Sequence, residues 1–238
     1  MLIKDQIKRF YSLLKSANLL DWRNELQIRK EKKAIGHAFP SSLRQDVECV
    51  INILPFNRHI KHQDGNEIKV NSLIHQGKLV VSLNKEILKI PERIYFNIPP
   101  EDKEKELTDL QKDILNCLYL KHHNGFVRQK RLKLLSGKND DFVVAFKFDL
   151  LGDYVIEIVE DLQKHITRDS IDSFVKFATE NEKYFSRTES RMTSFWSAHY
   201  RWKFEKLKYY IGKQNIDEIK KRIAELHKQK QDAISNAL

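Results

Sequence analysis

The sequence predicts an α+β protein that is mostly α, with a small antiparallel sheet in the N-terminal part followed by a helical bundle or a short array of helix hairpins. Three observations carry this expectation. Short clusters of Val, Ile and Leu, punctuated by Pro and Gly, are confined to residues 36–96. From Thr108 onward, apolar residues recur at spacings of three and four, as one face of a helix requires. The chain is 41% hydrophobic and 32% charged with only 7 Gly and 5 Pro, a composition of ordered helical globules and not of low-complexity chains. Two parts are expected, 1–98 and 106–238, separated by Pro99, Pro100 and a charged connection.

Residues 1–33 read as one or two amphipathic helices, with Ile3, Ile7, Phe10 and Leu14 on one stripe and Leu20, Trp22, Leu26 and Ile28 continuing it. Residues 41–54 read as a short helix through Leu43, Val47, Val50, Ile51 and Leu54. Asp64 and Gly65, between Ile60 and the alternating Ile68 and Val70, mark a tight hairpin turn. A second turn at Gln76 and Gly77 separates Leu73 and Ile74 from Leu79, Val81 and Leu83, which predicts a sheet of about three or four strands.

Thr108 and Gln111 have the spacing of a capping box, which opens a helix through Ile114, Cys117 and Leu118. Asn124 and Gly125 are expected to stop that helix in a left-handed conformation, and a partner helix through Leu132 and Leu135 ends at Gly137. The apolar run from Phe142 is rich in strand-favouring residues but lies among helical neighbours, and it is read as helix. Gly152 then separates it from a helix through Val155, Ile158, Val159 and Leu162. Gly125, Gly152 and Gly212 suggest a joint that recurs between stacked hairpins. Ser186 and Glu189 are read as another capping box, opening a long aromatic helix. Ile216, Ile219, Ile223 and Leu226 form a stripe that either docks on the chain's own core or pairs two copies through 216–226.

No stretch is apolar enough to cross a membrane, and the charged N-terminus does not resemble a signal peptide. Cys49 and Cys117 form no CxxC pair, so neither a disulfide framework nor a zinc knuckle is suggested, and a soluble cytoplasmic protein is expected. The net charge of +10 concentrates in 1–33, in 121–138 and in 201–230, which makes phosphate-bearing partners an option.

Two polar groups stand out as candidate sites. His122 and His123 lie beside Asn124 and Arg128; adjacent histidines point about 100° apart on a helix, so they make a poor metal pair and a better cap. Arg187, Arg191, Trp196, Tyr200 and Arg201 interleave cations with rings, a pattern that serves stacking and phosphate binding or packing between helices. Glu157 or Asp153, if on a neighbouring hairpin, would pair with Arg187 and Arg191 in an ion-pair network between helices. No metal-binding or cofactor-binding motif occurs. The leading expectation is a non-enzymatic binding or scaffold protein that holds a protein partner on a helical-hairpin surface. Nucleic-acid binding through 121–138 and 201–230 is the alternative, and an enzyme with a His/Arg/Glu site is the third.

Overall fold

The computed structural model describes residues 22–61 and 66–235. It is α+β and mostly α, with its strands in the N-terminal part. The stripe from Ile3 to Leu14 lies outside the described residues. A helix through 22–36 (α1) leads into a 3₁₀ turn at Ser41–Leu43 and α2, Arg44–Ile53, which stops before Pro55. Val47, Val50 and Ile51 of α2 are buried, as their spacing predicts. Gln111 binds Asp46 at 2.9 Å and so ties α2 to a later helix.

In place of one sheet of three or four strands there are two antiparallel hairpins. β1 (His59–Lys61) pairs with β2 (Glu67–Lys69) in the register Ile60 to Ile68; the expected turn residues, Asp64 and Gly65, are outside the described residues. β3 (Lys78–Leu83) pairs with β4 (Glu86–Pro91). The tight turn here is Asn84 and Lys85, both left-handed at φ 51° and 71°, and not Gln76 and Gly77. Two consecutive positive φ values give a turn whose twist matches the strands, so the hairpin closes in two residues. Gly77 stands at its open end, where its carbonyl accepts Glu92 N–H at 3.1 Å. Val81, Leu83, Leu88 and Ile90 face the core, leaving Val80 and Ile87 outside.

The connection 101–106 is not a loop: α3 (Glu101–Lys105) forms there. α4 (Asp109–Tyr119) opens with the predicted capping box, Gln111 N–H donating to Thr108 Oγ1 at 3.3 Å and Thr108 N–H to Gln111 Oε1 at 3.1 Å. Asn124 and Gly125 do not stop α4. Asn124 is extended at ψ 122° and its side chain accepts Phe126 N–H, so it caps the start of α5 (Gly125–Leu134), with Gly125 as the first helical residue. Gly137, at φ 72°, supplies the left-handed stop after α5.

The run from Phe142 is helix, α6 (Asp141–Asp149), and it is buried on almost every side. Burial all round overrides its strand propensity. A 3₁₀ turn, Leu150–Gly152, leads to α7 (Ile156–Gln163), then α8 (Ile171–Glu180) and α9 (Glu182–Phe195). Ser186 is therefore inside α9 and caps nothing. The junction is set at Asn181, whose side chain exchanges hydrogen bonds with the backbone of Ser82 at 2.7 and 2.8 Å. The last helix, α10 (Ile211–Ser235), already contains Gly212 in its first turn and buries Ile216 and Ile219. Ile223 and Leu226 pack partly buried on the same core, which is one connected cluster of apolar side chains running from Ile35 to Ile219. Among the described residues no helix is long and apolar enough to cross a membrane.

Candidate functional site

Sequence reasoning singled out the segment after α4, and the structure holds it unusually firmly. Ile94 lies between it and the N-terminal hairpins: Ile94 N–H donates to Lys121 O at 2.9 Å and His123 N–H to Ile94 O at 3.0 Å, while Ile94 also bridges Ile74. The rings of Tyr119, His122, His123 and Tyr95 form a pile with successive centroid distances of 5.6, 4.3 and 5.3 Å. His122 Nδ1 accepts Asn124 N–H at 3.1 Å, which assigns the proton to Nε2, 2.9 Å from Phe96 O. Burial, with His123 and Arg128 nearby, lowers its pKa to about 4, so the ring is neutral.

Arg128 is fully buried below this loop. Its Nε and Nη2 donate to the two oxygens of Asp153 at 3.0 and 2.9 Å, and its Nη1 donates to the carbonyls of His122 and His123 at 2.9 and 3.1 Å. The Tyr154 ring lies 5.2 Å from its guanidinium carbon. Asp153 Oδ1 also accepts Val155 N–H, so one carboxylate anchors α5 and orders the chain entering α7.

A second buried carboxylate, Asp149 at the end of α6, gathers three partners. Lys121 pairs with its Oδ2; Tyr184 and Arg191 Nη2 donate to its Oδ1 at 2.7 and 2.6 Å. Burial opposes ionisation of Asp149, but Lys121 and Arg191 outweigh it and hold the carboxyl far below the usual range. Burial likewise pulls the Lys121 ammonium down, against the opposing pull of Asp149. Arg191 reaches the carboxylate by passing over Gly152, where a Cβ would sit 2.6 Å from its Nε. That close approach requires glycine.

Of the predicted residues, His122, His123 and Arg128 come together around Asp153, and Arg191, partly exposed, joins Lys121 at the separate Asp149 centre. Glu157 and Arg187 join neither; both side chains are exposed on α7 and α9. Arg191 pairs with Asp149, while Asp153 belongs to Arg128. Asp153, the expected partner of Arg187 or Arg191, pairs with Arg128 instead; Lys121, Asp149 and Tyr184 were missed as site residues. The available signal was that Asp149 and Asp153 interrupt the longest apolar stretch of the chain. The grooves between α1 and α2 and between α3 and α5 are lined by other residues. Among the described residues no group of three or more His, Cys, Asp or Glu side chains could hold a metal ion.

Trp196, Tyr200 and Arg201 form a separate constellation where α9 ends in a π turn, Trp196–Tyr200. The extra residue of a π turn redirects the side chains that follow. Trp196 Nε1 donates to Phe204 O at 2.8 Å, and the Tyr200 hydroxyl donates to Tyr154 O at 2.6 Å and accepts Ile156 N–H. Arg201 lies over the Trp196 ring at 5.8 Å. Trp202 points outward and is 81% exposed, yet its Nε1 donates to His199 O at 2.9 Å. The rings of Tyr154, Phe195 and His199 follow one another with centroids 6.0 and 6.2 Å apart.

The basic run 121–138 offers few free charges. Lys121, Arg128 and Arg131 are buried against Asp149, Asp153 and Glu104, and Lys133 and Lys138 pair with Asp161 and Asp113 at 3.4 and 2.9 Å. In the tail, Lys213 and Lys220 meet Glu189, and Arg222 meets Asp172. No protein-family model, curated protein or solved structure matches this chain.

Proposed function

We propose that this chain is a non-enzymatic binding protein that holds a protein partner on the face of Tyr154, Phe195, His199 and Trp202. The observation that carries the proposal is Trp202. The only polar atom of its side chain already donates to the His199 carbonyl, so the ring is held in a fixed direction while 81% exposed. Burying a ring of this size, about 150–250 Å², is worth roughly 4–6 kcal/mol before association costs, and a pre-oriented ring loses little entropy on binding. Exposed Trp and Tyr beside Arg are the residue types that dominate binding energy at protein interfaces.

A nucleic-acid partner would require free cations along 121–138 and 201–230; nearly all of those in 121–138 and half of those in 201–230 are committed to carboxylates of the same chain. Catalysis would require a cleft at the histidine loop, and Arg128 and Lys121 are closed off from water there. The free thiols of Cys49 and Cys117 support a reducing, cytoplasmic setting.

The test is retention from native lysate by the immobilised chain, compared with Trp202→Ala. A protein retained by the wild type, lost with Trp202→Ala and indifferent to nuclease is expected. Equal retention on both, or retention that nuclease abolishes and salt weakens steeply, would overturn the proposal in favour of no partner at this face or a nucleic acid.

A further inference from the structure

A groove between α1, α2 and β4 is open to solvent, and among the described residues its cations have no carboxylate partner, although the Lys32 ammonium lies 5.3 Å from the Phe56 ring. The last turns of α1, one face of α2 and β4 border about 860 Å³, a volume typical of small-molecule sites. Phe39, Val47, Ile51 and Ile87 form an apolar floor, of which Ile87 is 58% exposed. Lys32, Lys33, Arg44 and Lys89 stand around it, all exposed, and among the described residues none of the four pairs with a carboxylate. The contrast with 121–138, where nearly every cation has an internal acid, is the central observation.

Two carboxylates also line the groove, Glu48 and Glu86. Glu86 is occupied: it accepts Ser41 N–H at 2.9 and 3.1 Å and the Ser41 hydroxyl at 3.4 Å. That bond braces β4 against the turn leading into α2, and Lys89 N–H donates to His37 O at 2.8 Å, bracing β4 against the end of α1. The groove therefore keeps its shape without an occupant, which lowers the cost of binding one.

We propose that this groove binds a medium-chain organic carboxylate, its acyl chain along Ile87, Val47 and Ile51 and its headgroup among Lys32, Lys33, Arg44 and Lys89. An inorganic anion would leave the apolar floor wet, and a neutral lipid would leave the cations without a counter-charge. The site is separate from the Trp202 face, so either can stand without the other.

Calorimetric titration of the full chain with decanoate, at fixed ionic strength, tests the proposal. Saturable one-to-one binding is expected, weakened about tenfold or more by Arg44→Glu with Lys89→Glu and by Ile87→Asp, and unchanged by the charge-matched control Lys228→Glu with Lys230→Glu. Decanol, decylamine and inorganic phosphate should each bind the wild type at least about tenfold more weakly than decanoate; this comparison holds even where a variant misfolds. Decanoate that does not saturate, that binds every folded variant alike, or that is matched by decanol or decylamine overturns the proposal. So does binding of an acidic amphipathic peptide by a chain that ignores decanoate.

Discussion

Arg128 and Asp153 face each other between α5 and the start of α7 through two near-parallel hydrogen bonds of 3.0 and 2.9 Å, and neither side chain reaches water. Removing one partner leaves a buried charge alone, which costs about 3–5 kcal/mol. Arg128→Met should therefore destabilise by that amount in denaturant titrations. Arg128→Met with Asp153→Asn should lose much less than the sum of the two single changes. Additive losses would show that the pair is not coupled.

Gly152 and Arg191 make a second coupled pair, through space in place of charge. A Cβ at 152 would lie 2.6 Å from Arg191 Nε and 3.1 Å from the Thr188 carbonyl. Gly152→Ala should cost about 2–3 kcal/mol, because it displaces the guanidinium from Asp149 as well as crowding the backbone. In an Arg191→Met background the same change should cost clearly less. Equal costs in both backgrounds would place the strain at the Thr188 carbonyl alone.

Acid should weaken the fold in two steps. Burial is the main cause that holds both His122 and His165 at a pKa of about 4, below the roughly 6.5 of an unfolded chain. Between about pH 6.5 and 4 the unfolded state binds protons that the folded state refuses, so stability is full above that window and falls as pH drops through it, with a slope approaching two protons. Asp149 acts later, since its depressed carboxyl costs stability only once pH falls below about 4. Unfolding free energies measured from pH 8 to 3 should show the first decline, and His165→Gln should flatten it. An unchanged slope would sink the assignment.

Lys147 acts with the same sign at higher pH. It is fully buried in α6, its ammonium donates to the Lys138 carbonyl at 2.5 Å, and burial lowers its pKa to about 8. Between about pH 8 and 10.4 the unfolded chain holds the extra proton, so stability should rise with pH there. Lys147→Met should raise stability at pH 7 by about 1–3 kcal/mol and remove that rise. A loss of stability in calorimetric melts would show that the bond to Lys138 outweighs desolvation.

What could be read from the sequence was what neighbouring residues decide. The Thr108 and Gln111 capping box, the burial of Val47 and Val50, and the stop at Gly137 each depend on contacts within a few positions. Asn124 and Gly125 suit the end of one helix as well as the start of the next, and the choice is made by Ile94, whose backbone fixes 121–123 from a distance. The turn at Asn84 and Lys85 has no glycine to announce it. Ser186 and Glu189 have capping-box spacing, but Asn181, bound to Ser82 across 99 positions, sets the helix start. The histidines and arginines stood out as polar groups in apolar company, whereas their carboxylate partners lie 25 to 42 residues away, beyond what periodicity can reach.

α6 has a further consequence outside the folded state. Its run from Phe142 to Phe146 joins aromatic and branched apolar residues without a proline or a charge, the signature of a segment that self-associates when a chain is newly made. Asp140 and Asp141 stand immediately before it, and Lys147 and Asp149 at its far end. Charges flanking such a segment act as gatekeepers. The lysine whose ammonium weakens the finished core therefore protects the chain on its way there. Lys147→Met should melt higher and yet give less soluble protein when expressed at 37 °C; a variant that gained both stability and soluble yield would leave Lys147 without that role.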